Sequence, residues 1–265
     1  MELISLNEYL SADNIWTKRL LGIEDFQQIR NYEQIEREYN QERYGTIAEQ
    51  FKECSSIQDI FQCYYLQNKD KHTHVSIKDE IFRVNPVVAS HLNASIIKSK
   101  VVQYSSNYIC ELGCGYGTNL ALFEGNVYGG EYSNNAVKLA HQLGIEVYPF
   151  DYYHMEDYAI LKEDTTIFTS HSIEQIPDAA CIIKGLSKHR DKIHYVVNFE
   201  PTILSQRKNL LGLMRNRYIE LNDYNRNLID LLWTNKNIEI LEYETDVFGI
   251  NPLNPFNIIV WQFKS

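Results

Sequence analysis

The run YICELGCGYGTNL at residues 108–120 restricts this chain to few architectures: an apolar strand ends in Glu111 and passes through Gly113, Gly115 and Gly117 toward a helix. A backbone turning sharply out of a strand needs positive φ or a missing Cβ, and bare backbone there lets a ligand lie against the strand end and the amides that follow. Glu131 stands 18 residues after Gly113, at the end of the next apolar run, where a carboxylate accepts both hydroxyls of a ribose. A dinucleotide fingerprint would put its third glycine where this chain has Thr118, and Glu111 would face a pyrophosphate with like charge. A cofactor with a cationic centre and a free ammonium suits the loop better. Without a ligand, the same glycines describe only a strand-to-helix turn.

The texture around this loop sets the fold class. From residue 107 onward, short apolar runs (Tyr108–Leu112, Val127–Glu131, Glu146–Phe150, Thr166–Ser170, Ile193–Phe199) alternate with helical stretches, the pattern of a parallel sheet covered on both faces. Ser133 caps a helix over Asn134–Leu143 and Gly144 ends it. A long helical stretch is expected over Ser205–Trp233. Two last strands, Ile238–Val247 and Ile258–Phe263, follow, and the short FGINPLNP connection favours an antiparallel pair. Residues 6–68 carry apolar positions at helical spacing (Ile29, Tyr32, Ile35, Tyr39) with almost no Gly or Pro, and read as several helices. After the polar break NKDKHTHVS, Pro86 opens a helix over Val87–Ile97.

Taken in order, these segments resemble the class I S-adenosylmethionine-dependent methyltransferases. ELGCGYG is similar to the first motif of that family, GGEYS to the second, PFDYY to the third, TIFTSHSIEQIPD to the fourth, and HYVVNFEP to the fifth-strand segment. The resemblance implies an α/β fold with a doubly wound, Rossmann-like, mostly parallel sheet of seven strands, the last antiparallel. Residues 1–100 are then a helical cap, and 101–265 the S-adenosylmethionine-binding region with a helical substrate-facing segment at about 202–235. It further implies that Gly113, Gly115 and Gly117 cradle the methionine end, that Glu111 reads its amino group, and that Glu131 binds the ribose. Tyr132 would lie on an adenine face, Asp151 would accept from the adenine amine with the Tyr152 amide beside it, and Ser170 and His171 would border the sulfonium. Arg83 in IFRVNP is the candidate donor to the methionine carboxylate. Asp151 also suits a helix cap.

His171 and Glu174 are the candidate catalytic residues. A histidine titrates where a hydroxyl acceptor needs its proton removed, though His171 equally suits a pocket wall. Glu174 suits an amine acceptor, or the start of the helix after Pro177. Glu200 is a third carboxylate near the same rim. The basic residues Arg207, Lys208, Arg215, Arg217 and Arg226 read as a solvated helix face. Of the 19 tyrosines, Tyr32, Tyr39, Tyr44, Tyr64 and Tyr65 fall in the region expected to cover the cofactor, mostly as packing residues.

Charge and cysteine usage narrow the partners. A net charge of −10 argues against a nucleic-acid scaffold, which needs clustered cations to release counterions. The opening MELISLNEYLSADNIW lacks a signal-peptide pattern, and no 18 apolar residues run together, so a cytoplasmic protein without a membrane span is expected. Five scattered cysteines suit a reducing compartment. CELGC lacks metal-ligand spacing, so no metal is expected. The expected function is transfer of a methyl group from S-adenosylmethionine, giving S-adenosylhomocysteine, to nitrogen or oxygen of a small-molecule or peptide acceptor such as a sugar or peptide natural product. A non-catalytic subunit that keeps the cofactor fold and a nicotinamide-dependent oxidoreductase are the alternatives.

Overall fold

The computed structural model describes residues 1–12 and 15–264; Asp13, Asn14 and Ser265, which the division at residue 100 includes, lie outside them. The strands β1 (Glu2–Ile4), β2 (Thr73–Ile77), β3 (Glu80–Val84), β4 (Tyr108–Leu112), β5 (Val127–Glu131), β6 (Val147–Pro149), β7 (Thr165–Ser170), β8 (Ile193–Glu200), β9 (Ile238–Gly249) and β10 (Phe256–Phe263) form one sheet. Its order is β1-β3-β2-β9-β10-β8-β7-β4-β5-β6. From β6 through β4 to β8 the pairings are parallel, and β10 runs antiparallel to both β8 and β9. Chain order reverses between β4 and β7, the place where open α/β sheets leave a crevice at the strands' carboxyl ends.

Alternation along the strands explains why helices cover both faces, since neighbouring residues of a strand point to opposite sides. Cys110, Ile167, Val196 and Ile259 face one core with Ile182 and Leu186 of α8 (Ala180–Lys188) and Leu228 and Leu232 of α10 (Leu228–Thr234). Their neighbours Ile109, Phe168, Val197 and Val260 face another, with Ile97 and Val101 of α6 (Pro86–Gln103) and Val137 and Ala140 of α7 (Asn134–Gln142). The caps are as the sequence indicates: Asn85 accepts from the Val87 amide with Pro86 in the first turn, Ser133 accepts from the Ala136 amide, and Gly144 has φ +76°. Among the described residues no helix is long and apolar enough to cross a membrane.

Four features differ from the sequence reading. The sheet has ten strands, not seven, because the first hundred residues, expected to be helical, supply β1, β2 and β3, which pair on through β2 to β9. The turn between β2 and β3 contains no glycine; Lys78 takes φ +52° instead, so the usual hairpin signal is missing. The helix expected over Ser205–Trp233 is two helices, α9 (Leu210–Leu221) and α10, because Asn225 Oδ1 accepts from the Asn227 and Leu228 amides and Asp223 adopts φ +51°. The basic residues of this stretch are not all solvated. Arg207 and Arg215 are buried, and both pair with Asp246, which itself has φ +49°. Lastly, the helix expected after the glycine loop is one 3-10 turn, Leu120–Leu122. Asn119, in place to cap a helix, turns back and donates to Glu111 Oε1 at 2.7 Å, and Gly125 at φ +90° ends the segment.

Candidate active site

A cavity of about 400 Å³ opens at the carboxyl ends of β4, β5, β6 and β7. That lies within the usual range for a small-molecule site, about 300–1,000 Å³. Its floor begins with the glycine loop. The Gly113 and Cys114 amides donate to Gly130 O at 2.7 and 3.2 Å, fastening the loop to β5. Gly113 has φ +75°, and a Cβ there would lie 1.7 Å from Ser172 Oγ. Gly115, at φ +56°, leaves room for Tyr44, whose hydroxyl would be 2.5 Å from a Cβ.

Glu131 meets this loop directly. Its Oε2 accepts from the Gly115 amide at 2.7 Å and its Oε1 from the Ser133 amide at 2.8 Å, so the carboxylate is held by backbone against the middle glycine. An ionised carboxylate has about four lone-pair sites, which leaves two for a ligand. Burial raises its pKa, opposed by the Ser133 and Gly115 amides. Glu111 lies beneath the loop, 1% exposed. Burial pushes its carboxyl well up against the pull of Asn119, and its Oε2 has no partner.

The next strand ends supply the outer wall. Asp151 lines the cavity; its Oδ1 accepts from the Tyr153 amide at 2.9 Å, while Oδ2 is buried without a hydrogen bond, the exposed His154 Nδ1 standing 3.8 Å away. Tyr152 donates its hydroxyl to Leu112 O at 2.9 Å. Tyr132 donates to Glu36 Oε2 at 2.7 Å and stands edge-on to Tyr32. Glu36 belongs to the roof, built from α3 (Tyr32–Ile35), a π-helical segment (Glu36–Arg43) and α4 (Tyr44–Gln50). Asn40 of the π-helical segment accepts from Ser133 Oγ at 2.8 Å and the Asn135 amide at 3.2 Å, latching the roof to the start of α7. Wide helical turns of this kind are rare and gather at functional sites.

Ser170 and His171 border the cavity at the end of β7. His171 has φ +51°, a strained conformation for a residue with a side chain, and its amide donates to Phe199 O at 3.0 Å. Its Nδ1 lies 3.0 Å from Glu174 Oε2. A carboxylate can only accept there, so Nδ1 carries hydrogen, and in the neutral ring Nε2 keeps the lone pair. Burial lowers the His171 pKa, but the charges of Glu174 and Glu200 outweigh it and the net shift is upward. Glu200 does not line the cavity. It accepts from the amides of Ser172, Ile173 and Glu174, each at 3.1 Å, and so props up the turn that carries the histidine pair.

Glu200 also makes stability depend on pH. Burial and the charge of Glu174 raise its pKa from 4.5 to about 7. For an acid with a raised folded-state pKa, the folded state holds the proton longer, so stability present below pH 4.5 declines as pH rises through 7. His171, also raised, acts in the same direction. The wild-type protein is expected to lose about 2 kcal/mol through Glu200 between pH 5 and 7, and Glu200→Gln to flatten the decline of Tm over that interval. Parallel Tm-against-pH curves for the two proteins would remove this account.

Of the residues expected to form the site, Gly113, Glu131, Tyr132, Asp151, Tyr152, Ser170, His171 and Glu174 line the cavity. Glu111 lies beneath, and Gly115 sits against Tyr44 and Glu131. Gly117, at φ +87°, packs on Ile145 instead of lining the cavity. Arg83 is elsewhere: it is on β3 opposite Glu2, with which it forms an exposed ion pair at 3.0 Å. The cation at the cavity is Arg43, whose guanidinium lies 5.4 and 5.7 Å from the ring centres of Tyr39 and Tyr44. Tyr218, Asn251 and Asn254 also line it without having been singled out; Tyr218 falls in the stretch at about 202–235 expected to face the substrate, and the two asparagines were marked only by the turn-rich FGINPLNP. Tyr32, Tyr39 and Tyr44 face the cavity, whereas Tyr64 and Tyr65 are exposed on α5 (Ile57–Asn68).

No protein-family model matches the chain, and no curated protein matches its sequence. Solved structures do. An O-methyltransferase family protein from Burkholderia thailandensis aligns with a TM-score of 0.50 over 68% of this chain and 57% of its own, at 10% identity. Magnesium protoporphyrin IX methyltransferase from Synechocystis PCC 6803, solved with bound S-adenosylhomocysteine, aligns with a TM-score of 0.49 over 67% of this chain and 85% of its own, at 15% identity. The first of these likenesses, with the strand order and the reversed β10, gives the chain the class I methyltransferase fold.

Proposed function

We propose that the chain transfers a methyl group from S-adenosylmethionine to nitrogen or oxygen of a small-molecule or peptide acceptor. The observation that carries this reading is the meeting of the glycine loop, Glu131 and the Asp151 oxygen that lacks a hydrogen bond along one cavity wall. The unsatisfied atoms fit this cofactor. Glu111 Oε2 and Asp151 Oδ2 are buried acceptors that need donors, and the molecule offers an ammonium and an adenine amine. Arg43 supplies the cation for its carboxylate, and Glu131 has two lone pairs left for the ribose hydroxyls. When bound, S-adenosylmethionine supplies a methyl carbon activated by a cationic sulfur.

The chain's own residues then have to align the acceptor and exclude water. The roof residues Tyr39 and Tyr44 close over the middle of the cavity as a cap. In its neutral form His171 takes a proton from the acceptor at Nε2, and Glu174 stabilises the imidazolium that forms. The name of the Burkholderia protein, an O-methyltransferase family member, is in keeping with this reading.

Calorimetric titration with S-adenosylhomocysteine tests it. Saturation near 100 times Kd is expected to stabilise the protein by about 2.7 kcal/mol, while NAD gives no shift. Stabilisation by NAD and not by S-adenosylhomocysteine would transfer the site to the oxidoreductase alternative.

A further inference from the structure

Resting on the methyltransferase reading, we infer that the end of the cavity around Glu174 is built to hold a primary or secondary amine, which makes nitrogen the atom methylated. Glu174 is 5% exposed and accepts from Asn254 Nδ2 at 3.0 Å, Gln175 Nε2 at 2.7 Å and His171 Nδ1 at 3.0 Å. A carboxylate that only accepts obliges both amides to turn their NH2 groups toward it, which fixes where their oxygens lie. Those oxygens, Asn254 Oδ1 and Gln175 Oε1, are buried and unpartnered, in residues that are 8% and 7% exposed and line the cavity. The network therefore leaves two hydrogen-bond acceptors unsatisfied, backed by a buried carboxylate with one lone pair to spare.

A ligand that completes this arrangement must bring several donors. A hydroxyl brings one, and a carboxylate or phosphate brings none and meets a like charge. An amine arriving as ammonium brings two or three, with a positive charge for Glu174 to balance. Tyr39 and Tyr218 add ring faces within the field of Glu174, where a cation is also favoured. Arg43, the cation on the same roof beside Tyr39 and Tyr44, is the one assigned above to the methionine carboxylate.

Transfer then balances as follows. His171 Nε2 takes one proton from the ammonium, and the freed lone pair forms the nitrogen–carbon bond. The sulfur–carbon bond breaks, its electron pair stays on sulfur to give S-adenosylhomocysteine, and the proton on histidine passes to water.

The test compares two molecules of nearly equal shape, phenethylamine and 2-phenylethanol. Each is titrated calorimetrically into the wild-type protein saturated with S-adenosylhomocysteine. The amine is expected to bind about tenfold or more tightly than the alcohol, because its donors meet charged and unsatisfied acceptors. Glu174→Gln is expected to remove that preference. Equal binding, tighter binding of the alcohol, or binding of neither overturns the amine assignment and leaves the methyltransferase reading in place. Failure of S-adenosylhomocysteine to bind in the first titration overturns both, and the wild-type comparison depends on no variant's folding.

Discussion

Gly113→Ala is expected to abolish measurable binding of S-adenosylhomocysteine, a loss of at least about a thousandfold. A Cβ at this position would lie 1.7 Å from Ser172 Oγ and 2.6 Å from Ser172 Cβ, so the neighbouring chain must move bodily. Ser172 cannot retreat cheaply, because its amide is tied to Glu200 and its hydroxyl lies 3.0 Å from that of Tyr152. The backbone adds its own penalty, since φ +75° places an alanine in the left-handed region at about 1–2 kcal/mol. Gly144→Ala separates the two effects. That glycine also has positive φ, at +76°, but a Cβ there meets nothing within 4 Å. It should cost only the backbone term and leave affinity unchanged. Calorimetry for binding, with circular dichroism to confirm folding, reads both variants, and affinity retained in Gly113→Ala would place the cofactor somewhere other than this loop.

Glu131→Ala is expected to weaken S-adenosylhomocysteine binding by about a hundredfold while the protein stays folded. Two hydrogen bonds from ribose hydroxyls to a buried carboxylate account for that size, at about 1.5 kcal/mol each. The same substitution strands the Gly115 and Ser133 amides, which now donate to this side chain, and lowers stability by roughly 1–3 kcal/mol. Adenosine alone should lose the same factor as the full molecule, because the contact is with the sugar. A variant with unchanged affinity for either ligand would take Glu131 out of the site.

Local chemistry made much of this architecture legible. Glu111 and Gly113 declare themselves because a strand end and a glycine turn lie side by side, and Glu131 because it ends the very next strand, 18 residues after Gly113. Asp151 follows from its place after the third strand of the parallel set. Short apolar cores, Ile167–Phe168 in β7 and Val196–Val197 in β8, marked the two strands between polar neighbours. Contacts made across long stretches of chain left no such mark. Arg43 and Arg83 look alike as isolated cations, and only the packing of the roof onto α7 decides that the first reaches the cavity. Arg215 reads as a surface charge because its partners, Asp246 and the carbonyls of Lys78 and Pro252, lie far away in sequence. The β2–β3 hairpin was hidden by a turn that uses Lys78 where glycine would have announced it. The break between α9 and α10 was written in asparagines, which compete for backbone hydrogen bonds more quietly than proline does.

The direction of β10 has a consequence for how such a molecule diversifies. Because β10 runs against its neighbours, its early residue Asn257 pairs with Glu200 at the finish of β8, and the hairpin tip carrying Asn251 and Asn254 lines the cavity. On the reading proposed above, the grip on the nucleoside and the far wall of the acceptor chamber are written in stretches of chain about a hundred residues or more apart. Lineages can rewrite that tip and change their choice of acceptor, leaving the machinery for the methyl donor as inherited.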